Sequence, residues 1–329
     1  MFPFSRKRKP LSLKLQILKL MNILIYGIGG VGGFVGGKLA QTQHKVTFIA
    51  RGDHLKAIQK NGLTIESITG NFNVRPYHAT DDLSTIDIPD LVIFGTKSWQ
   101  LQEIAKEILQ YTNNTTMFLT LQNGANNSEI LNTVLPKQQV LSGLCRMISF
   151  IKSPGVISNP DIPPTFLFGE QDNTRTSRVE TILKVLKEAG LNAQIPENIQ
   201  VAIWQKFLFI TTVSAIGGLT RATIGVMRES SYIKNLMLKT AQEVAAVAKA
   251  KGIALPEDTI DKTFAAIARQ APNTTASTQR DLMEGKPSEL ENFNGFIVKE
   301  GKKLGIPTPV NEMIYELLLP QENITRKSP

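Results

Sequence analysis

The feature that most constrains the fold is a glycine-rich stretch that follows an apolar segment. Five of the seven residues 27–33 are glycine, and the preceding run 22–26 is typical of a buried parallel strand. Gly27, Gly29 and Gly32 have the spacing G-x-G-x-x-G. The first glycine permits a tight turn, the second lets the backbone approach a pyrophosphate, and the third allows close packing of a helix on the strand. The pattern predicts a strand, turn and helix that bind a dinucleotide at the amino end of the helix.

Further strands are predicted after this turn. Residues 45–50, 91–95 and 117–121 are apolar runs of strand length. Residues 63–68 and 72–77 flank a Thr-Gly-Asn turn, which indicates a hairpin. Together with the glycine-rich turn, these segments predict a doubly wound α/β domain in which ligands bind beyond the carboxyl ends of the strands.

Two polar residues stand at such strand ends. Lys97 follows the strand predicted at 91–95, and Asn123 follows the one predicted at 117–121. Their positions make both residues candidates for the binding site. For Asn123 a plain tight turn with Gly124 is the alternative, because both residues favour left-handed backbone.

The residue that follows the second predicted strand, Arg51, indicates the preferred dinucleotide. Sites that prefer NAD usually carry an acidic residue at this place, where it holds the ribose hydroxyls. A guanidinium instead pairs with a 2′-phosphate through two parallel hydrogen bonds. The nearby Asp53 is more typical of the cap of the next helix. We therefore expect NADP(H), with a solvated surface charge as the alternative role of Arg51.

The second half of the chain predicts helices. A length of 329 residues is about twice that of a typical domain. We expect an NADP-binding domain over 21–196 and an all-helical substrate domain over 197–329. Five segments of the second domain have helical length or apolar spacing: 198–219, 230–251, 257–269, 288–303 and 310–319.

The excess of positive charge lies mainly in the first twenty residues. Residues 1–20 contain six basic residues and no acidic one, which leaves 31 basic and 28 acidic residues in 21–329. A nucleic-acid partner would depend on this tail alone, and we expect none. We expect residues 1–20 to be a disordered or weakly helical extension, with a targeting sequence as the alternative. We expect Met21 to be the true start or an alternative start of the protein.

Cysteine content and hydropathy indicate the compartment. The single cysteine, Cys145, cannot form an internal disulfide, and no Cys/His cluster has metal-ligand spacing, so we expect no metal site and a reducing cytoplasm. The longest largely apolar run, 207–219, is too short to cross a membrane. The sequence does not determine the oligomeric state, for which a homodimer is one option.

Residue types that the sequence lacks reduce the number of candidates for the proton donor of a nicotinamide-dependent reaction. The sequence contains no Tyr-x-x-x-Lys pair, and its three histidines all precede residue 79. A lysine or a carboxylate must then serve a reaction in the helical half. Lys206 adjoins a long apolar run and would share one helical face with Ile210 and Ser214. Composition alone would place the downstream charges of Asp281 and Glu289 on the surface.

The motifs together resemble those of the 2-dehydropantoate 2-reductase (ketopantoate reductase) family, and the resemblance covers residues 21–319. They are the glycine-rich turn, Ala50-Arg51-Gly52-x-His54-Leu55, Thr96-Lys97-Ser98-Trp99-Gln100, Gln122-Asn123-Gly124, Trp204-x-Lys206-Phe207 and Glu289-Leu290-Glu291-Asn292-Phe293-Asn294-Gly295. The resemblance implies a Rossmann-like NADP-binding domain followed by an all-helical domain of the 6-phosphogluconate-dehydrogenase-like type.

The resemblance also implies an activity and a set of site residues. The expected reaction is NADPH-dependent reduction of 2-dehydropantoate to (R)-pantoate, a step toward pantothenate and coenzyme A. Lys206 would donate the proton, and Glu289 would position substrate or cofactor. The expected cofactor contacts are Gly27, Ile28, Gly29, Gly30, Val31, Gly32, Arg51, Lys97, Asn123 and Glu289. The expected substrate contacts are Asn123, Lys206, Ser214 and Ser277.

The chain departs from the family after the lysine. Many members carry asparagines four and eight residues further on, where this sequence has Ile210 and Ser214. A missing bond to a buried polar group costs roughly 1–3 kcal/mol. One possibility is that Thr211 or Ser214 replaces the asparagines as the hydrogen-bond partner of the substrate, while Thr220 or Arg221 binds the substrate carboxylate. The alternative is that the substrate is another branched 2-oxo acid. A non-catalytic NADP(H)-sensing module is the alternative from a different class.

Overall fold

In the computed structural model the chain is described from residue 20 to residue 327, so the predicted basic extension of residues 1–20 lies, apart from Leu20, outside the described residues. The strands are β1 Asn22–Tyr26, β2 Lys45–Ile49, β3 Leu63–Ser67, β4 Phe72–Val74, β5 His78–Thr80, β6 Leu91–Phe94, β7 Met117–Thr120, β8 Val140–Arg146, β9 Phe150–Ser153, β10 Val156–Asn159, β11 Thr165–Gly169 and β12 Asn192–Gln194. The α-helices are α1 Gly30–Leu39, α2 Gly52–Asn61, α3 Leu101–Leu109, α4 Asn127–Asn132, α5 Ser177–Glu188, α6 Ile199–Thr220, α7 Ile224–Glu229, α8 Ser231–Ala250, α9 Thr259–Arg269, α10 Ser277–Met283, α11 Phe296–Leu304 and α12 Pro309–Lys327.

The N-terminal half is organised around an eight-stranded sheet in the order β12-β11-β8-β7-β6-β1-β2-β5. The six strands from β8 to β5 are parallel, and β11 is antiparallel to β8. Both faces are covered by helices, so successive side chains of β1 enter different cores. Ile25 packs on the side of α1 and α5, and Leu24 on the side of α3. The predicted doubly wound domain is confirmed.

A second, four-stranded sheet has the order β4-β3-β10-β9. The predicted hairpin is present as the antiparallel pair of β3 and β4, but β3 also pairs in parallel with β10. The strands from β8 to β12 were not predicted from the sequence. The clearest reason is seen at β9, where all four residues are exposed, so the apolar pattern of a buried strand is absent.

The C-terminal half is helical, and its central element is α6. The helix begins where the side chain of Asn198 accepts a hydrogen bond from the backbone N–H of Val201. Its aromatic residues Trp204 and Phe207 pack edge to face with each other, and both contact Phe296. Among the described residues α6 alone has the length and hydropathy of a membrane span, but 67% of its apolar window is buried. It is therefore the core helix of this half.

Two helix predictions need correction. The segment predicted as one helix over 288–303 is a π-helical turn, Glu291–Gly295, followed by α11. Helix α12 continues past the predicted end at residue 319 and contains Pro320. The short helices α7 and α10 were not predicted. The predicted boundary after residue 196 stays a prediction; it falls between the end of β12 and the start of α6.

Tertiary contacts explain why α12 continues through a proline, which removes one helical hydrogen bond. The carboxylate of Glu322 is 3% exposed and accepts bonds from the backbone N–H and the hydroxyl of Ser288. Arg326 pairs with Glu322 at 2.7 Å and donates to the carbonyl of Ser288. These bonds hold the last turns of α12 against the segment that precedes the π-helical turn.

Candidate active site

A cleft of about 1080 Å³ lies between the carboxyl ends of the parallel strands and the helical half. One wall consists of the glycine-rich turn and the residues that follow β6 and β7. The opposite wall consists of α6, α9 and α10. This is the place where an open α/β sheet binds its ligands.

The glycine-rich turn brings α1 unusually close to the sheet. Gly27 has φ +95°, which favours glycine. A Cβ atom on Gly32 would lie 2.0 Å from the carbonyl oxygen of Gly27 and 3.2 Å from the Cα of Gly95. Only hydrogen fits there, so the predicted packing role of Gly32 is seen directly. Ile28 is buried and does not line the cleft.

The side of the turn that faces the cleft is open. Gly29, Gly30 and Val31 line the cleft, and a Cβ on Gly29 would have no neighbour closer than 3.6 Å. The first N–H groups of a helix have no acceptor within the helix, and they carry the positive end of its dipole. The turn therefore fits the pyrophosphate of a dinucleotide.

The two predicted cations occupy different surroundings. Arg51 is exposed at the carboxyl end of β2 and does not line the cleft. It lies beside Tyr26, whose hydroxyl donates to Glu107 at 2.6 Å. Lys97 lines the cleft, but its ammonium pairs with Asp281 of α10 at 2.6 Å. In this structure Lys97 thus joins the two halves of the protein.

A chain of hydrogen bonds crosses the cleft from α6 to the residues before the π-helical turn. Lys206 Nζ donates to Asn123 Oδ1 at 2.6 Å, and Asn123 Nδ2 donates to Glu289 Oε2 at 3.3 Å. Glu289 also accepts from the hydroxyls of Ser98, at 3.1 Å, and Thr278, at 3.5 Å. The ammonium cannot accept and the carboxylate cannot donate, so the amide of Asn123 has one consistent orientation.

Burial dominates the electrostatics of the two ionisable ends of this chain. Glu289 is 3% exposed, and burial raises the pKa of its carboxyl, although Lys97 and the bonds from Asn123 and Ser98 oppose the rise. Burial lowers the pKa of the Lys206 ammonium, and the negative charge of Glu289 acts against that shift. Glu289 therefore holds a proton more readily, and Lys206 releases one more readily, than either would on the surface.

The remaining substrate candidates lie at different depths. Ser214 and Ile210 line the cleft together with Lys206, so the predicted shared face of α6 is present. Ser277 lines it from the first turn of α10 and is exposed. The hydroxyl of Thr211 is buried outside the cleft and has no hydrogen-bond partner within the described part of the chain.

The other two candidates for the substrate carboxylate do not reach the cleft. Neither Thr220 nor Arg221 lines it. Of the hydroxyls considered as replacements for the family's asparagines, Ser214 is thus the one in place.

Sequence reasoning missed several residues that the structure brings to the site. Ser98 and Thr278 hold Glu289, and Asp281 holds Lys97. Ser98 could have been found, because it follows β6 by the same rule that selected Lys97. Thr278 gives no local signal beyond its position next to Ser277. The charged lining also includes Arg146, which the motifs did not single out.

A doubly wound sheet with a glycine-rich turn, facing a helical half across a cleft that holds a half-buried lysine and a buried glutamate, is the architecture of a dinucleotide-dependent oxidoreductase. Two family models match the chain: "Ketopantoate reductase PanE/ApbA" over residues 23–173 and "Ketopantoate reductase PanE/ApbA C terminal" over residues 198–322. The chain belongs to the ketopantoate reductase family, which confirms the resemblance seen in its motifs.

Individual relatives agree with the family. The chain is 28% identical to a 2-dehydropantoate 2-reductase of Pyrococcus horikoshii, with 92% of this chain and 98% of that protein covered. The crystal structure of a PanE/ApbA family ketopantoate reductase from Ralstonia eutropha JMP134 matches with a TM-score of 0.86 at 29% identity and covers 93% of this chain and all of that one. A D-mandelate dehydrogenase in complex with NADH and anilino(oxo)acetate has the same fold, with a TM-score of 0.84 at 22% identity over 93% of this chain and all of that one.

The two roles of glycine in the turn can be separated by substitution. We expect Gly32→Ala to lower the free energy of unfolding by about 3 kcal/mol, because its methyl group meets backbone that cannot move aside. Gly29→Ala, which has space for a methyl group, should change stability by less than about 0.5 kcal/mol. Urea unfolding measures both values. Equal stability losses in the two variants would contradict the distinction.

Proposed function

We propose that the protein is an NADP(H)-dependent reductase that converts 2-dehydropantoate to (R)-pantoate, in the pathway toward pantothenate and coenzyme A. The observation that carries this proposal is the bonded chain of Lys206, Asn123 and Glu289 in a cleft opposite a phosphate-binding turn. A cytoplasmic location and a homodimeric assembly stay predictions.

The site residues divide the reaction between them. The nicotinamide, when bound, supplies the hydride that the ketone carbon receives. The Lys206 ammonium stabilises the negative charge that develops on the ketone oxygen and then donates a proton to it, which completes the alcohol. Asn123 accepts one N–H of Lys206 and so fixes the direction of the other two. Glu289 holds the Asn123 amide in place.

The assignments of the cofactor and substrate contacts follow from the same geometry. The glycine-rich turn at Gly27–Gly32 binds the pyrophosphate, and Arg51 binds the 2′-phosphate at the end of β2. Lys97 is already paired with Asp281, so we assign it a weaker part in binding. Ser214 and Ser277 offer hydroxyls to the substrate.

A second candidate is the reduction of a branched 2-oxo acid without a hydroxyl group. The observation in its favour is Ile210, which lines the cleft with Phe209 and Val213 and forms an apolar patch beside Lys206. A purely cofactor-sensing module is disfavoured, because binding a dinucleotide requires neither the ammonium of Lys206 nor the buried carboxylate of Glu289. Steady oxidation of NADPH in the presence of a 2-oxo acid separates an enzyme from a sensor.

Removal of the proposed proton donor tests the mechanism. Lys206→Ala should lower kcat by at least about a hundredfold, since a general acid contributes roughly 10²–10⁴ in rate. In the wild type, kcat/KM should fall as pH rises through the pKa of Lys206, because the acid must be protonated to act. Burial lowers that pKa, so the fall begins below the usual lysine value of 10.5.

The matched control is Lys206→Arg, which keeps the charge but does not release a proton in this range. It should bind NADPH normally and remain slow. Two results would contradict Lys206 as the proton donor. One is a loss of kcat of less than about tenfold in Lys206→Ala, and the other is a fall of kcat/KM at high pH that is the same in Lys206→Ala as in the wild type.

Cofactor preference tests Arg51. Arg51→Ala should lower kcat/KM for NADPH by about 10–100-fold, since bonds to charged groups are worth roughly 1.5–3 kcal/mol, and should leave NADH almost unaffected. Lys56→Ala removes an exposed cation from the same helix and serves as the control for general electrostatics. Equal losses of kcat/KM with NADPH and NADH in Arg51→Ala would contradict the assignment of Arg51 to the 2′-phosphate.

One pair of substrates separates the two candidate functions. 2-Dehydropantoate and 3,3-dimethyl-2-oxobutanoate differ by a single hydroxyl, for which Ser214 is the available partner. We expect kcat/KM to favour 2-dehydropantoate by about tenfold, the effect of one hydrogen bond to a buried group, and Ile210→Asn to increase that ratio. A reversed ratio in the wild type would select the second candidate.

A further inference from the structure

Arg146, the last residue of β8, lies on the face of that strand that contacts α6. Gln200 of α6 donates to the hydroxyl of Ser142 at 3.3 Å, and Leu144 belongs to the same buried cluster as Trp204. Side chains alternate between the two faces of a strand. Ser142, Leu144 and Arg146 therefore point to the same side, toward α6.

The spacing along the two elements sets the level that Arg146 reaches. The bond between Ser142 and Gln200 fixes one point of contact, and β8 and α6 advance from it in the same direction. Four strand residues cover about 13 Å, as do about nine residues of a helix. Arg146 thus lies beside the turns of α6 that contain Lys206 and Phe209, and all three residues line the cleft. The positive charge of Arg146 also adds to the burial that lowers the pKa of Lys206.

The guanidinium of Arg146 has no carboxylate partner in the part of the chain that the structure describes. Arg269 and Arg280 of the same cleft also have no carboxylate partner among the described residues, but Arg146 is the arginine that lies beside Lys206. A guanidinium presents a planar fork of donors that matches a carboxylate. An unpaired one on the wall of a cleft is therefore suited to an anionic ligand.

The chemistry of a 2-oxo acid restricts where its carboxylate can bind. The carboxylate carbon is bonded directly to the ketone carbon, so the group that binds it must lie next to the proton donor. Asn123 is already engaged by Lys206 and Glu289, and a charged Glu289 would repel the substrate. We propose, on the basis of the function proposed above, that Arg146 binds the substrate carboxylate through two parallel hydrogen bonds and thereby directs the ketone oxygen toward Lys206.

The test compares two arginines that line the same cleft. Arg146→Gln should raise KM for the 2-oxo acid and lower kcat/KM at least 30-fold, which corresponds to about 2 kcal/mol, with an unchanged KM for NADPH. Arg269→Gln removes the same charge from the last residue of α9, which is not among the charges that act on the pKa of Lys206, and should change kcat/KM less than threefold. Arg146→Lys, which keeps the charge without the fork, should fall between them.

A substrate without the carboxylate charge distinguishes binding from a structural effect. The wild type should prefer a 2-oxo acid over its methyl ester by at least 30-fold, and Arg146→Gln should abolish that preference. An unchanged preference in Arg146→Gln, or equal losses in Arg146→Gln and Arg269→Gln, overturns the role of Arg146 while the reductase activity stands. A wild type that reduces no 2-oxo acid overturns the proposed function and, with it, this assignment.

Discussion

The site depends on one side-chain amide, that of Asn123, held between an ammonium and a carboxylate. Neither Lys206 nor Glu289 could be removed from water cheaply on its own, because an unpaired buried charge is far more costly than a bonded one. The amide gives each of them a partner without bringing them into direct contact. Because it accepts from Lys206 and donates to Glu289, each ionisable group has a hydrogen-bond partner, and the lysine keeps two N–H groups for the cleft. Each member comes from a different element, so the arrangement exists only when sheet and helices are packed together.

The second constraint is the close approach of α1 to the sheet. Gly32 and Gly95 nearly touch, since a Cβ on Gly95 would lie 2.6 Å from the Cα of Gly32. That contact fixes the amino end of α1 relative to β6, and β6 leads directly to Lys97 and Ser98. Ser98 bonds Glu289, so the position of the phosphate-binding turn and that of the buried carboxylate are set by the same short segment. The glycine-rich turn and the hydrogen-bonded chain that ends at Glu289 are thereby held in a fixed relation.

How much the sequence predicted depends on how local each signal is. The strand, glycine turn and helix occupy fewer than twenty residues, and their chemistry is contained in that stretch, so the prediction was confirmed. Glu289 was different. Composition favoured a surface position, yet the residue is buried, and the sequence around it gave no sign of this because partners such as Ser98 lie far away in the chain. Ser98 is 191 residues from it. Strand β9 was missed for another reason: its residues are all exposed, so it lacks the apolar pattern of a buried strand, although its partner β10 follows directly. Family resemblance supplied Lys206 and Glu289, and physical pattern alone did not.

The lining of the cleft, more than the fold, separates one substrate from another. Ketopantoate reductases and a D-mandelate dehydrogenase share this architecture, so the fold by itself does not specify the substrate. In this chain the lining beside Lys206 combines an apolar patch at Ile210 with the guanidinium of Arg146, which has no carboxylate partner among residues 20–327. A ligand with a charged end and an apolar end can satisfy both at once in only one direction. In the proposed binding mode the carboxylate lies at Arg146 and the apolar substituent at Ile210, so the opposed chemistry of the two ends sets the orientation of the carbonyl.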